Sequence, residues 1–268
     1  MPTPNDARSA APIFYVHVMK TGGTTLFRHL RENFPLDELY PYRELDIHYD
    51  GDRLDVRHHL SISYLTSLSP ERRQHIKVYT GHFPYIAQEL MGGRFVTASI
   101  LRDPVQRTVS LLRQFRRKKP WAPGSSTKGL RFVESSLEEV YAHPTVFEPL
   151  VHNHQTKIFS MLASDAPESY MDVVDVDEAR LEIAKDNLAK VDLLGVTERY
   201  DLFLDEVESR FDWHVQRDAR ANATPTDDNE PVSPELLRRI EADNALDMEL
   251  HAYAAELVAQ RAGHRTPG

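Results

Sequence analysis

Lys20-Thr21-Gly22-Gly23-Thr24-Thr25 sets a cation, two adjacent glycines and several hydroxyls side by side in the chain. Glycine adopts backbone conformations that side chains disfavour, so two in succession let N–H groups turn toward one anion. A helix starting at that point adds unpaired N–H donors and the positive end of its dipole. The hydroxyls of Thr24 and Thr25 are further donors, and Lys20 supplies a full positive charge. The chemistry suited to this set is capture of a terminal phosphate or sulfate. The residue order differs from a Walker A loop, which ends in Gly-Lys-[Ser/Thr] and uses the hydroxyl to hold Mg²⁺. Lys20 precedes its glycines, which argues against an ordinary NTPase. A plain strand-to-helix turn would account for Gly-Gly alone, but not for the lysine and paired threonines beside it.

A second junction carries Arg102-Asp103-Pro104, with Ser110 about two helical turns further on. Asp at a cap and Pro in the first turn predict a helix start. Arg102 then falls at the carboxyl end of the preceding strand, where open α/β sheets bind ligands. A guanidinium there holds a phosphate in a two-pronged grip, and Ser110 offers a hydroxyl from the same helix face. The alternative is that Arg102 pairs with Asp103 or another carboxylate. The chain has 13 histidines, so composition alone selects none as a base. His82, in Thr80-Gly81-His82-Phe83-Pro84-Tyr85, follows a β-prone run and is expected at the same sheet edge as the glycine loop. Its alternative roles are capping the next helix or packing under Tyr85. His17 reads as structural or supporting. His58, His59 and His75 have no motif around them, while His152 and His154 are candidates to approach a second substrate.

The elements that must position these groups alternate along the chain. Runs at 13–18, 76–80, 94–101 and 192–196 are β-prone. Helical patterns occupy 24–33, 103–117, 131–142, 146–163, 175–191, 198–211 and 234–262, the last with a break near Asn244. Residues 35–75 read as loops with a short helix, and 117–130 as a mobile basic loop. Alternating strands and helices predict an α/β fold: a P-loop-type parallel sheet covered on both faces, with extra C-terminal helices. One domain over 12–262 is expected, between a disordered lead-in at 1–11 and a tail at 263–268. With 268 residues and 41% hydrophobic content, the chain is large enough for that core. The net charge of −9 argues against a nucleic-acid partner. The chain has no cysteine, which excludes disulfides, thiolate metal sites and a cysteine nucleophile. No apolar run reaches transmembrane length and no secretory signal is visible, so a cytoplasmic protein without stable membrane insertion is expected.

The two junctions together resemble the P-loop sulfotransferases that use 3′-phosphoadenosine-5′-phosphosulfate, above all the heparan sulfate 2-O- and 6-O-sulfotransferase group and its bacterial relatives. His17-Val18-Met19-Lys20-Thr21-Gly22-Gly23-Thr24-Thr25 looks like that group's 5′-phosphosulfate loop, with Met19 where Pro is usual. Leu101-Arg102-Asp103-Pro104 through Ser110 looks like its 3′-phosphate site. Asn153-His154-Gln155-Thr156-Lys157 resembles the family's Asn-x-Gln-Thr-Lys helix, and Gly195-Val196-Thr197-Glu198 its Gly-[Leu/Val]-Thr-Glu turn. Asn244 through Tyr253 resembles a late Asn-x-x-Asp-x-x-Leu-Tyr helix, with His251 in the place of that Leu-Tyr.

The resemblance implies a sulfotransferase that moves a sulfuryl group onto a hydroxyl, of a sugar or glycoconjugate by analogy. It implies that Lys20, Thr21, Gly22, Gly23, Thr24 and Thr25 bind the 5′ end of the donor, and Arg102 and Ser110 its 3′-phosphate. It implies that His82 is the catalytic base and that Lys20 assists the leaving group. No metal is expected, since the protein supplies the positive charge. Residues 35–75 and 117–145 match nothing in the family and would carry acceptor choice. A P-loop kinase of a small metabolite and a non-catalytic nucleotide-binding protein of the same fold are the competing readings.

Overall fold

A computed structural model describes residues 11–42, 46, 49–50, 53–54, 61–116, 132–217 and 231–263. His58, His59, the loop at 117–130 and nearly all of both expected disordered ends lie outside these residues. Strand β1 (Ile13–Val16) leads into helix α1 (Gly23–Asn33), and β2 (Leu39–Tyr40) follows a short 3₁₀ turn. Helices α2 (Ile62–Ser67) and α3 (Pro70–His75) precede β3 (Val78–Tyr79), α4 (Ile86–Met91) and β4 (Val96–Leu101). Then come α5 (Pro104–Arg116), α6 (Leu137–Ala142), a π turn at Phe147–Val151, α7 (His154–Ser160) and α8 (Glu178–Ala189). Strand β5 (Leu193–Val196), α9 (Tyr200–Phe211), α10 (Pro234–Asp243) and α11 (Ala245–Gly263) complete the order.

The sheet is all parallel in the order β2-β3-β1-β4-β5. Every carboxyl end therefore opens at one edge, and β1 lies between strands whose chains arrive from opposite sides. Alternation along β1 builds both faces. Ile13 and Tyr15 pack with Leu26 and Leu30 of α1 and Phe203 and Val207 of α9. Phe14 and Val16 point the other way, into a core that includes Phe83, Ile158, Leu188 and Leu250. A third cluster joins α5, α6, the π turn and α10 through Leu112, Tyr141, Leu150 and Ile240.

The expected α/β architecture with C-terminal helices is what forms, and the break at Asn244 falls between α10 and α11. Several details differ from the sequence reading, among them the helix expected from 131, which starts at Leu137. Segment 35–75 holds two helices, a separate antiparallel pair of Tyr49–Asp50 with Arg53–Leu54, and strand β2, which at two residues is too short to show a period. The expected helix 146–163 is interrupted where Asn153 takes a left-handed conformation at φ 41° before α7 begins. The helix expected from 198 begins as a 3₁₀ turn, Thr197–Arg199, and becomes α-helical at Tyr200.

Candidate active site at the carboxyl edge of the sheet

The glycine loop leaves β1 and turns back into α1 through two left-handed residues, Lys20 at φ 70° and Gly22 at φ 91°. Gly22 caps α1 with no side chain bonded to the first turn, and that turn carries no acidic residue. The early N–H donors and the helix dipole thus face the edge without a competing carboxylate. Gly23 is required for a different reason. A Cβ at this position would lie 2.0 Å from His17 Nε2, so only glycine lets the imidazole pack against the start of α1. The Thr21 hydroxyl donates to Val18 O at 2.9 Å and is buried, so its side chain locks the loop and only its backbone faces an anion. Thr24 is exposed and Thr25 half-exposed.

The Lys20 ammonium donates to Gln114 Oε1 on α5 at 2.6 Å, and Lys20 O accepts from Arg102 Nη1 at 3.3 Å. The glycine loop and the second junction are therefore in direct contact. Arg102 uses its other arm on Gln106 Oε1 at 3.4 Å rather than on a carboxylate. Burial lowers its pKa, with Glu198 and Asp103 opposing through their charge. Asp103 caps α5 as the sequence predicts, accepting from Gln106 N at 2.8 Å. Arg102 and Ser110 line one groove of about 450 Å³ together with Val105, Val109, Arg113 and Leu237. Its lining combines cations and a hydroxyl with apolar side chains.

His82 comes from the turn after β3 and lies over the same edge. Its Nδ1 is 2.8 Å from His17 O, so the Nδ1–H donates to a carbonyl and the lone pair lies on Nε2. It does not cap α4, whose N-cap residue Tyr85 has no side-chain bond, and its ring stacks on His17 instead of Tyr85. His17, one residue beyond β1, directs Nδ1 to Thr80 O at 3.3 Å. Packing around it, and then the neighbouring His82, push its pKa well below the ordinary value. His154 is buried, with Nδ1 held at 3.0 Å from Pro149 O and its ring edge-on to Tyr170. His75 is exposed and pairs with Asp37 at 2.8 Å.

The second junction depends on residues whose role the sequence did not reveal. Gln155 clamps the Arg102 peptide from both sides, accepting from Arg102 N at 3.1 Å and donating to Arg102 O at 2.8 Å. Gln155 N and Thr156 N in turn donate to the buried Asp247 carboxylate at 3.0 and 2.7 Å. Burial pushes the Asp247 pKa up, while nearby Arg107 and these amide bonds pull it down. Asn153 N donates to Asn244 Oδ1, and Asp247 N to Asn153 Oδ1, at 3.0 and 3.2 Å. The Asn-x-Gln-Thr and Asn-x-x-Asp motifs are thus two halves of one lock. Buried Arg107 donates from Nη2 to Leu150 O and Val151 O, holding the π turn. Glu198 accepts from Asp103 N at 3.1 Å and pairs with His251 at 3.2 Å. The motif likeness was the available signal for Gln155 and Asp247, and it marked His251 only as a departure from the pattern; Arg107 carried none.

A five-stranded parallel α/β sheet with a glycine loop and an arginine junction at one edge defines the class: a P-loop-type fold. Residues 8–254 match the model of the Sulfotransferase family, and the chain belongs to that family, an enzyme class that uses 3′-phosphoadenosine-5′-phosphosulfate. It is 28% identical to heparan-sulfate 6-O-sulfotransferase 2 of Gallus gallus over 93% of this chain and 67% of the relative. The human protein of that name is also 28% identical, over 93% of this chain and 45% of its own length. Human heparan-sulfate 6-O-sulfotransferase 1 is 25% identical over 96% of this chain and 67% of the relative. The chain thus spans from under half to about two thirds of the length of these relatives. Among the described residues no helix is long and apolar enough to cross a membrane.

Proposed function

We propose that this protein transfers a sulfuryl group from 3′-phosphoadenosine-5′-phosphosulfate to a hydroxyl acceptor, and that the acceptor is a sugar or glycoconjugate. The observation that carries the reading is the convergence of the Lys20–Thr25 loop, the Arg102–Ser110 groove and His82 at one sheet edge. The named activity of the relatives supports a sugar acceptor.

The donor supplies the sulfuryl group and leaves as 3′-phosphoadenosine-5′-phosphate. On this reading the backbone N–H groups of Thr21 to Thr25 hold its 5′ end, with Thr24 and Thr25 hydroxyls adding donors. Arg102 and Ser110 hold the 3′-phosphate. Lys20 neutralises charge growing on the oxygen between sulfur and phosphorus as that bond breaks. His82 takes the acceptor proton on Nε2 while the new S–O bond forms in line.

Thermal-shift titration with 3′-phosphoadenosine-5′-phosphate, ATP and ATP–Mg²⁺ separates this reading from a kinase. Stabilisation by the first alone supports it; stabilisation by ATP–Mg²⁺ alone contradicts it. A labelled-sulfate transfer assay, with mass-shift screening of glycan acceptors, separates an enzyme from a binding protein. His82→Ala should lower turnover by about 100-fold or more with donor binding intact. Lys20→Ala should also lower turnover strongly, and a wild-type rate in either variant would remove that residue's role.

A further inference from the structure

Lys157 ends the Asn-x-Gln-Thr-Lys motif, and the reaction described above makes no use of it. It is almost fully buried, yet its ammonium is satisfied three times over. Nζ donates to Pro149 O at 2.7 Å, Tyr170 O at 2.9 Å and Asp172 O at 2.8 Å. Two of these carbonyls belong to the irregular stretch between α7 and α8. The Asp172 carboxylate closes the same stretch on itself, accepting from Glu168 N at 2.6 Å and Ser169 N at 2.9 Å. A buried cation that gathers three carbonyls fixes the backbone it gathers, because each unpaired carbonyl would cost a buried hydrogen bond.

That fixed backbone carries Tyr170, whose ring centroid lies 5.3 Å from the His82 ring at 47°. On its other contact His82 stacks against His17, with centroids 4.0 Å apart and planes 29° from parallel. His17 is itself wedged against Gly23 at the start of α1. The His82 ring thus touches two aromatic walls, one tied to the glycine loop and one tied to α7 through Lys157. Its Nδ1 bond to His17 O sets the remaining rotation.

We propose that His17 and Tyr170 form a two-walled clamp that positions the His82 imidazole, with Lys157 setting the Tyr170 wall. This rests on the reading of His82 as the base. Both residues act through His82 and are positioning residues rather than catalytic ones. The clamp holds the ring where Nδ1–H reaches His17 O, and so keeps a single tautomer with Nε2 aimed at the acceptor hydroxyl before the donor and acceptor meet.

The test uses the full chain, wild type and with Tyr170→Ala, Tyr170→Phe and Lys157→Met. Three quantities are read: 3′-phosphoadenosine-5′-phosphate affinity, turnover at saturating donor and acceptor, and the ¹⁵N signals of the His82 ring. Tyr170→Ala should lower turnover by about tenfold or more through loss of base alignment, with nucleotide affinity within about twofold. Its His82 signals should move from one tautomer toward an average of two. Tyr170→Phe keeps the wall and should restore most of the turnover and the single-tautomer signals. Lys157→Met should reproduce the Tyr170→Ala signature if it folds, and Tyr170→Ala decides the matter if it does not. Wild-type turnover or unchanged His82 signals in Tyr170→Ala would overturn the clamp. Failure of the wild type to bind the nucleotide or transfer sulfate would instead strike the underlying function, since the ring signals are read without either.

Discussion

The two phosphate-receptive junctions are built by opposite means. The β1–α1 loop takes its shape mainly from itself: its left-handed turns, its glycine contact with His17 and its Thr21 lock all lie within residues 17–25, while Lys20 reaches out to Gln114 and Arg102. The β4–α5 junction is held from outside. Its Arg102 peptide is gripped by Gln155, Gln155 is anchored by Asp247, and Asp103 N is held by Glu198. A local motif tolerates change elsewhere in the fold but almost none within itself. An assembled junction spreads its sensitivity over three distant segments, those of Gln155, Asp247 and Glu198. Substitutions outside the ligand's reach should therefore damage the second junction and spare the first.

The largest effect is expected at the anchor of the assembled junction. Asp247→Ala leaves two backbone N–H groups and the Thr156 hydroxyl without their acceptor and Arg107 without its nearby carboxylate. The loss should be roughly 3–5 kcal/mol of folding stability, read by urea denaturation. Next comes the local loop. Gly23→Ala forces a Cβ into His17 Nε2 and should lower turnover by about 100-fold, with folding stability changed far less than in Asp247→Ala. Equal stability losses in the two variants would erase the distinction between the junctions.

These two predictions also show why the junctions were unequally legible. The glycine loop could be read because its chemistry is contiguous: a lysine, two glycines and two threonines state an anion site in one window. The strands and helices that carry it were equally visible from apolar runs and from caps such as Asp103-Pro104. The lock on Arg102 could not be read in the same way, because Gln155 and Asp247 lie about 50 and 150 residues further along the chain. Family likeness marked their motifs without saying what they hold. Burial was equally invisible: His154 stands beside a motif in the chain, and only the fold shows that it is packed inside. Strand β2 was missed because two residues show no alternation.

Smaller effects sharpen the comparison. Gln155→Ala removes the clamp on the Arg102 peptide and should cost about 1–2 kcal/mol of nucleotide binding, seen by calorimetry, without moving the His82 ring signals. The smallest effect concerns Glu198. Burial raises its pKa, but bonds from His251 and Asp103 N more than offset this, taking it from 4.5 to about 2. A carboxyl with a lowered folded pKa stabilises the fold above its unfolded value and loses that contribution as pH falls. Melting temperature should therefore decline from pH 4.5 toward 2, and Glu198→Gln should flatten part of that decline. The exposure of this pair to solvent keeps the difference small.

Labelled-sulfate transfer by the wild type and His82→Ala, with 3′-phosphoadenosine-5′-phosphate affinity measured on the same samples, tests the central claim most directly. The account predicts transfer by the wild type, a fall of about 100-fold or more in His82→Ala, and nucleotide affinities within about twofold of each other. Transfer by His82→Ala at the wild-type rate, or a wild type that binds ATP–Mg²⁺ and not this nucleotide, would contradict it.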